Sequence, residues 1–320
     1  MRVLVIGGTG HVGTFLIPRL VQADHEVYCI HRGGKPYLHD PTWKEVKLIV
    51  LDRKQEEAAG TFGERVSSFN PDVVIDMICF DVPSARQLVQ SLRGVVAHYL
   101  CCGTIWVHGF NVIVPVREDL PRRPFGEYGK NKAELEAYLL EEGHRSGFPV
   151  TLVHPGHIVG PGWVPLDPLG TWNLDVYAKL ARGEELLMPH LGLETLHHVH
   201  ADDVAQVFMK AITNRSASIG ESFHAVSPAA LTMRGYAESV AGWFGQSAHL
   251  QFVPWADYAA SVPAEDARWT WEHLAHSSNC SIAKAQRLLD YQPRYSSLEA
   301  VFESLTWLID HDKLTVPSQK

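Results

Sequence analysis

The sequence has few of the features that mark secreted, membrane or nucleic-acid-binding proteins. Its five cysteines show no CxxC pair and no metal-site spacing, so we expect reduced thiols and a cytoplasmic protein. No apolar run is long enough to span a bilayer, and no signal peptide precedes the first predicted strand. The net charge is −8 with no dense basic segment, which argues against nucleic acid or a membrane as the main partner.

What is present is an alternation of strands and helices in a chain of 320 residues. The pattern predicts an α/β fold with a doubly wound parallel sheet of the Rossmann type. We expect an NAD(P)-binding domain over residues 1–162, to which a helix and a strand near 203–226 return, and a smaller, mainly substrate-binding α/β lobe over 163–320. The predicted sheet strands cover residues 1–6, 26–30, 46–51, 73–78 and 95–101.

The first of these strands ends in the glycine-rich segment Gly7-Gly-Thr-Gly-His-Val-Gly13, and a predicted helix follows. Glycines between a strand and a helix are typical of a dinucleotide-binding turn, where the helix N-terminus faces the pyrophosphate. Gly7 permits the tight turn, Gly10 lets the backbone approach the phosphates, and Gly13 lets the helix pack on the strand. The predicted cofactor-binding residues of this turn are Gly7, Thr9, Gly10, His11, Val12 and Gly13.

Cofactor preference depends on the end of the second strand. NAD enzymes place a carboxylate about 20 residues beyond the glycines, but this position holds His31 and Arg32. Arg32 could pair with a 2′-phosphate, which favours NADP and leaves NAD open. Asp52 and Arg53 follow the third strand, where Asp52 could bind adenine or cap the next helix. Met77, at the end of the fourth strand, should lie beneath the cofactor.

Chemistry is expected just after the fifth strand, where Thr104 stands at a carboxyl end of the sheet. Tyr128 and Lys132 follow on a predicted helix and share one face because they are four residues apart. A neighbouring ammonium group favours the phenolate and should lower the pKa of Tyr128 toward neutrality. The three side chains together predict an acid/base site.

These motifs resemble those of the extended short-chain dehydrogenase/reductases, in the NAD(P)-dependent epimerase/dehydratase family. The resemblance continues through His154-Pro-Gly-His-Ile-Val-Gly-Pro161 and Val199-His-Ala-Asp-Asp-Val-Ala205. It implies that Tyr128 is the acid/base, that Lys132 lowers its pKa and binds the nicotinamide ribose, and that Thr104 binds the reacting oxygen. Pro155 and His157 would also border the cofactor. A homodimer is a further expectation from the resemblance.

The sequence departs from the family pattern at three positions that bear on the substrate. Ile105 and Trp106 replace the acidic pair of the dehydratases, His157 replaces an asparagine of the nucleotide-sugar epimerases, and Leu196 stands where an arginine often binds the diphosphate. We therefore expect a small carbohydrate-like substrate, which is a sugar, a polyol or a sugar-derived carbonyl compound. Epimerase and reductase chemistry remain open, because both need the same three side chains.

Eighteen histidines invite a metal interpretation, above all His197, His198 and His200. No ligand partner lies at a recognised spacing and the reaction needs no metal, so we predict none. The predicted substrate contacts are His108, His157, Trp163 and His200. Trp269 and Trp271 could close over substrate, although core packing is the commoner role for such residues. The alternatives to an enzyme are a non-catalytic NAD(P) sensor and an RNA-associated protein of the same fold.

Overall fold

Seven parallel strands form the central sheet of the computed structural model, which describes residues 1–34, 36 and 38–317. The strands of the described residues, those outside the central sheet included, are β1 (Arg2–Ile6), β2 (Glu26–His31), β3 (Lys47–Val50), β4 (Val73–Asp76), β5 (His98–Cys102), β6 (Val150–Pro155), β7 (His157–Val159), β8 (Glu185–Pro189), β9 (Thr195–Leu196), β10 (His198–His200), β11 (Ser222–Ala225), β12 (Leu231–Thr232) and β13 (His249–Val253). The sheet order is β11-β6-β5-β4-β1-β2-β3. The predicted Rossmann-type α/β fold is therefore confirmed.

Helices cover both faces of this sheet and build most of the second lobe. They are α1 (His11–Gln22), α2 (Arg53–Ala58), α3 (Phe62–Ser67), α4 (Val82–Leu92), α5 (Gly126–Ser146), α6 (Leu174–Arg182), α7 (Ala201–Thr213), α8 (Arg215–Ser218), α9 (Met233–Trp243), α10 (Trp255–Ser261), α11 (Ala264–His276), α12 (Ala283–Leu289) and α13 (Ser297–Asp310). A 3-10 helix, Ile105–His108, follows β5 directly.

The sheet is buried on both faces because helices pack on each side. One hydrophobic cluster joins β1 to α1 and α7 through Val5, Leu16 and Phe208. A second cluster joins the other face to α4 and α5 through Leu88 and Leu135. Strands covered on both sides need continuous apolar runs such as the one in β1, and this is why the sheet could be predicted from the sequence.

Residues beyond β7 have a core of their own, formed by α6, α9, α10 and α13 around Tyr177 and Tyr236. The chain returns twice to the large sheet. The first return adds α7 and β11, and β11 pairs with β6 at the sheet edge. The second adds α12, whose Ala285 and Leu289 join the hydrophobic cluster of the cofactor side. The C-terminal half thus supplies structure to both lobes.

Sheet order places a topological switch point between β1 and β4, because the chain runs outward in opposite directions from these two neighbours. In open parallel sheets, ligands bind at the carboxyl ends of the strands beside such a point. The glycine turn after β1 and the segment after β4 meet there. A Cβ atom on Gly7 would lie 2.8 Å from the side chain of Ile78.

Candidate active site

A cleft of about 770 Å³ opens at the carboxyl edge of the sheet. The sheet side of the cleft is formed by His11 at the start of α1, Thr104 after β5, and Tyr128 on α5. The opposite side comes from the segment 163–172 and from α11. A cleft between a nucleotide-binding sheet and a second lobe is a common place for a small-molecule site.

The glycine turn has the geometry that a dinucleotide requires. Gly7 has a φ of +80°, and its N–H donates to the carbonyl of Ile30 at 2.9 Å. A Cβ atom on Gly13 would lie 1.9 Å from the carbonyl oxygen of Gly8, so only glycine permits this close packing. Gly10 is the N-cap of α1 and makes no side-chain capping bond. A glycine at this position places no side chain over the N-terminal end of α1, the end of a helix that favours phosphate.

The residues predicted to contact the adenosine end lie in different environments. His31 and Arg32 stand at the end of β2, with Arg32 exposed. Asp52 caps α2 by accepting a backbone hydrogen bond, and capping was one of its two predicted roles. The prediction for Arg53 requires correction, because its guanidinium is 5% exposed and is bound to the carboxylate of Asp76 at 2.7 Å. Arg53 is therefore engaged inside the fold.

Thr104, Tyr128 and Lys132 come together at the base of the cleft. Thr104 caps the 3-10 helix and accepts from the N–H of Trp106 at 3.3 Å, so its own hydroxyl proton remains available. The nearby Thr104 hydroxyl lowers the pKa of the Tyr128 phenol by a small amount. Gly129 allows the approach, since a Cβ atom there would lie 3.3 Å from the carbonyl of Trp106.

The pKa of Tyr128 differs from the expectation. Burial of the hydroxyl raises its pKa above the ordinary value, while Lys132 and Thr104 lower it by smaller amounts. The residue as a whole is 44% exposed, but it faces the cleft. The predicted direction of the Lys132 effect is present, yet the predicted net lowering is wrong for the protein alone because desolvation is the larger effect.

Lys132 is held by backbone carbonyls as well as by its charge. Its Nζ donates to the carbonyls of Cys79 at 2.6 Å and Cys102 at 2.8 Å. Burial lowers its pKa, but Tyr128 and neighbouring thiols together raise it above its ordinary value. The ammonium group therefore stays charged next to the phenol. The same nitrogen lies 4.7 Å from the ring centre of Phe80, another cleft residue.

The substrate side of the cleft is rich in aromatic rings. Trp163 stacks on His11 with 4.6 Å between ring centroids, and Trp172 meets Trp269 edge to face at 5.3 Å. Trp269 therefore lines the cleft, whereas Trp271 is 44% exposed and is not among the described cleft residues. The proposed closure over substrate fits Trp269 but not Trp271.

Sequence reasoning missed α11 as a helix, and with it three cleft residues, Arg268, Glu272 and His273. A signal was present, because Pro263 precedes the helix and acidic residues occupy its first turn, which is typical of a helix start. His273 lies 4.9 Å from His157 between ring centroids. Burial lowers the pKa of His273 to about 3, so both rings face the cleft as neutral groups.

Among the other predicted residues, Pro155 lines the cleft with His157 and Trp163, and Met77 is half-buried just after β4. Two predicted substrate contacts require correction. His108 is 3% exposed and bonds His224, and His200 is 1% exposed and stacks on Tyr295. Neither lines the described cleft, because each ring packs behind the strand ends.

His197 precedes β10 and His198 begins it, and their side chains do not point toward one common site. His197 lies between the carbonyl of Ser227 and the N–H of Cys280, and His198 faces the carbonyl of Leu166. Alternation along the strand sends their side chains in opposite directions. Among the described residues, the histidines close enough to share a metal ion are instead His108, His154 and His224.

Comparison with known proteins agrees with this geometry. Residues 3–225 match the NAD dependent epimerase/dehydratase family. The chain belongs to this family. Membership confirms the resemblance seen in the motifs and identifies the fold as one that serves NAD-dependent reductases and epimerases.

Among curated relatives, 2'-dehydrokanamycin reductase of Streptomyces kanamyceticus is 29% identical over 97% of this chain and 85% of its own length. Chloroplast stem-loop binding protein of 41 kDa b of Arabidopsis thaliana is 24% identical over 95% of this chain and 78% of its own length. The solved structure of UDP-glucose 4-epimerase from Thermotoga maritima aligns with a TM-score of 0.75 at 19% identity, over 97% of this chain and 99% of that one. Within the described residues, no helix is long and apolar enough to cross a membrane.

Proposed function

We propose that the chain is an NAD(P)-dependent oxidoreductase or epimerase that acts on a carbinol or carbonyl carbon of a small carbohydrate-like molecule, with Tyr128 as the acid/base. One observation carries the proposal. Thr104 and Tyr128 line the same cleft, and the buried Lys132 ammonium lies close enough to the Tyr128 phenol to lower its pKa. This arrangement offers a proton donor, a second hydroxyl and a fixed positive charge to one reacting oxygen.

Reduction of a carbonyl is the first function to test. The pKa of Tyr128 lies above its ordinary value because its hydroxyl is desolvated, so the phenol carries its proton at neutral pH and can donate it to a carbonyl oxygen. Lys132 stabilises the phenolate that forms, and Thr104 orients the reacting oxygen. When bound, the nicotinamide supplies or accepts the hydride. Holding these groups around one carbon is mainly an orientation effect.

The cofactor proposed is NADP, with NAD as the alternative. The residues present fit a dinucleotide, since a glycine turn joins β1 to α1 and its Gly10 places no side chain over the helix N-terminus. Arg32 is exposed at the end of β2. The loop after it returns to the glycine turn, where a Cβ atom on Gly34 would lie 3.6 Å from the hydroxyl of Thr9. A guanidinium there suits a 2′-phosphate, which it can bind bidentately.

The charges of the cleft bear on the substrate. Arg268 is the one arginine or lysine among its described lining residues, and it already lies 3.6 Å from Glu272 and over the ring of Trp269. A diphosphate is best bound by an arginine free to form two parallel hydrogen bonds. The lining also contains Glu127. We therefore favour a neutral or amino-bearing sugar over a nucleotide sugar, in keeping with the relationship to 2'-dehydrokanamycin reductase.

A deuteride-transfer experiment tests this proposal. The purified chain is incubated with NADPH or NADH deuterated at C4 and with a panel of keto-sugars and keto-aminosugars, and products are analysed by mass spectrometry. We expect deuterium on the former carbonyl carbon with the native chain and none with Tyr128→Phe. Formation of an epimer with no net cofactor oxidation would assign epimerase chemistry instead.

The relationship to a chloroplast stem-loop binding protein supports a second candidate, a non-catalytic NAD(P)-sensing or RNA-associated protein. Its test is a mobility-shift assay with stem-loop RNA at physiological salt, with and without cofactor. Specific retention of RNA together with absence of deuteride transfer would favour this candidate. The net charge of −8 weighs against it, because affinity for nucleic acid depends mainly on neutralising phosphates.

A further inference from the structure

Three histidines from separate segments meet behind the active-site loop. His108 is the last residue of the 3-10 helix that follows Thr104, His154 lies in β6, and His224 lies in β11. Their exposed fractions are 3%, 0% and 0%. One nitrogen of each ring lies within 4.8 Å of the others. These side chains are outside the described lining of the cleft, so the proposed reaction does not use them.

The hydrogen bonds show where the lone pairs of two rings point. Nδ1 of His224 lies 3.0 Å from the carbonyl of Ser281, so this nitrogen must carry a proton to donate. In the neutral ring, Nε2 of His224 then has only a lone pair, and it lies 2.8 Å from Nε2 of His108. The proton between them must belong to His108. Nδ1 of His108 is left as a buried acceptor without a hydrogen-bond partner in the described part of the chain.

His154 has a similar unmet need. Its Nδ1 has no hydrogen-bond partner among the described residues, and its Nε2 lies 3.3 Å from a carboxylate oxygen of Glu136. That carboxylate is also bound by Arg122 at 2.7 Å. A second carboxylate, Glu118, accepts from the backbone N–H of His224 at 2.9 Å. Polar atoms left unpaired inside a protein are costly, and this cluster also lies beside two carboxylates.

We propose that His108, His154 and His224 bind one divalent transition-metal ion, with Zn²⁺ as the first candidate. Imidazole suits this class of ion, and three histidines leave a fourth position for water or a carboxylate. Tetrahedral Zn²⁺ at about 2.0–2.1 Å from each nitrogen separates neighbouring ligand atoms by about 3.3 Å. His108 and His224 would therefore move apart by about 0.5 Å from their 2.8 Å contact as the ion takes the place of the shared proton, which passes to Nδ1 of His108. The His154 nitrogen, within 4.8 Å of the other two, would close to the same separation.

A neighbouring cavity lies on one side of the cluster. A surface cavity of about 660 Å³ is lined by Glu118 and Ser281, both of which contact His224. The ion would link β6, β11 and the segment after Thr104. Its role would be to hold these three segments together, and it would take no part in the proposed reaction.

The experiment uses the full chain after removal of metal with a chelator. Calorimetric titration with Zn²⁺ should give one ion per chain, and Co²⁺ should give the visible absorption bands of a tetrahedral nitrogen site. His108→Gln and His224→Gln should each weaken binding by roughly 100-fold or more, beyond the cost of losing an outer-shell partner. His249→Gln is the matched control, because His249 is an exposed histidine on β13 and should leave affinity unchanged.

Three results would overturn the proposal: no stoichiometric binding of either ion, binding that survives both cluster variants, or binding weakened equally by His249→Gln. Where a cluster variant fails to fold, the native chain decides. Tetrahedral Co²⁺ bands together with a rise in Tm on adding Zn²⁺ support the site. Weak octahedral bands without a Tm change would mean that surface histidines hold the ion.

Discussion

The two walls of the cleft are made from different materials. The sheet side, called the cofactor wall after its proposed role, combines the glycine turn at Gly7, Gly10 and Gly13 with the side chains of His11 and Tyr128. The substrate wall, likewise named for its proposed role, is built from large side chains that come from 163–172 and α11, above all Trp163 and Trp269. We propose that the reaction site lies where the two walls meet. Under that proposal, backbone geometry at the glycine turn holds the cofactor, and side chains of the other wall select the substrate.

The largest expected effect is a loss of turnover on changing Tyr128, which lies where the two walls meet. Tyr128→Phe removes the proton donor and should lower kcat by about 10²–10⁴-fold, while cofactor affinity stays within about twofold. Tyr138→Phe, on the same helix but outside the described cleft residues, is the control and should keep full activity. Steady-state kinetics and fluorescence titration measure the two quantities. Unchanged turnover in Tyr128→Phe would contradict the assignment.

Acid should destabilise both walls. His11 and His273 are buried, and burial lowers the pKa of each to about 3, against about 6.5 in the unfolded chain. Between these values the unfolded state binds protons that the native state does not, so stability falls as pH decreases below 6.5 and is constant above it. Each such histidine costs about 1.4 kcal/mol at pH 5.5.

Urea unfolding at pH 7.0 and pH 5.5 measures this loss. His273→Gln should reduce the difference between the two pH values, and His249→Gln, which alters an exposed residue, should not. A free energy of unfolding that is equal at both pH values would show that these histidines are not held neutral.

Backbone packing in the cofactor wall should tolerate no side chain. A Cβ atom on Gly13 would lie 1.9 Å from the carbonyl oxygen of Gly8, so Gly13→Ala should cost about 1–3 kcal/mol in stability and weaken cofactor binding. Gly242→Ala is the matched control, because α9 has nothing within 4 Å of that position. It should stabilise by up to about 1 kcal/mol. Equal effects in urea unfolding would refute the packing argument.

A smaller effect is expected from the substrate wall. Trp269→Ala removes an aromatic surface from the cleft and should raise KM roughly fivefold, equivalent to about 1 kcal/mol, with little change in kcat. Trp271→Ala, two residues away on α11 but exposed outside the described cleft lining, is the control. A change in cofactor affinity without a change in KM would show that Trp269 contacts the cofactor and not the substrate.

The comparison also explains what the sequence could predict. The glycine turn and the sheet strands were predictable because each depends on local spacing. The acid/base role of Thr104, Tyr128 and Lys132 stays a prediction that rests on the family resemblance. Membership of the epimerase/dehydratase family and the α/β fold agree with these local patterns. Continuous apolar runs such as residues 73–75 are visible without knowledge of the neighbouring strands.

Contacts between distant segments could not be predicted in this way. The pairing of Arg53 with Asp76 and the meeting of His108 with His224 depend on which strands are neighbours in the sheet. Desolvation of the Tyr128 hydroxyl likewise depends on its surroundings in the fold, and this is why the expected lowering of its pKa is reversed. Helix α11 is a different case, because Pro263 and the acidic residues of its first turn are local signals of a helix start.

The most direct test is a titration of the purified chain with NADPH and with NADH, after a check for nucleotide retained from the cell. We expect one exchangeable nucleotide per chain and an affinity for NADPH about tenfold higher than for NADH, which corresponds to one charge-assisted hydrogen bond. Arg32→Ser should abolish the preference, and Arg65→Ser, at an exposed position on α3, should preserve it. Tightly retained NAD would overturn the role of Arg32 and favour an epimerase. Binding of neither nucleotide would contradict the account.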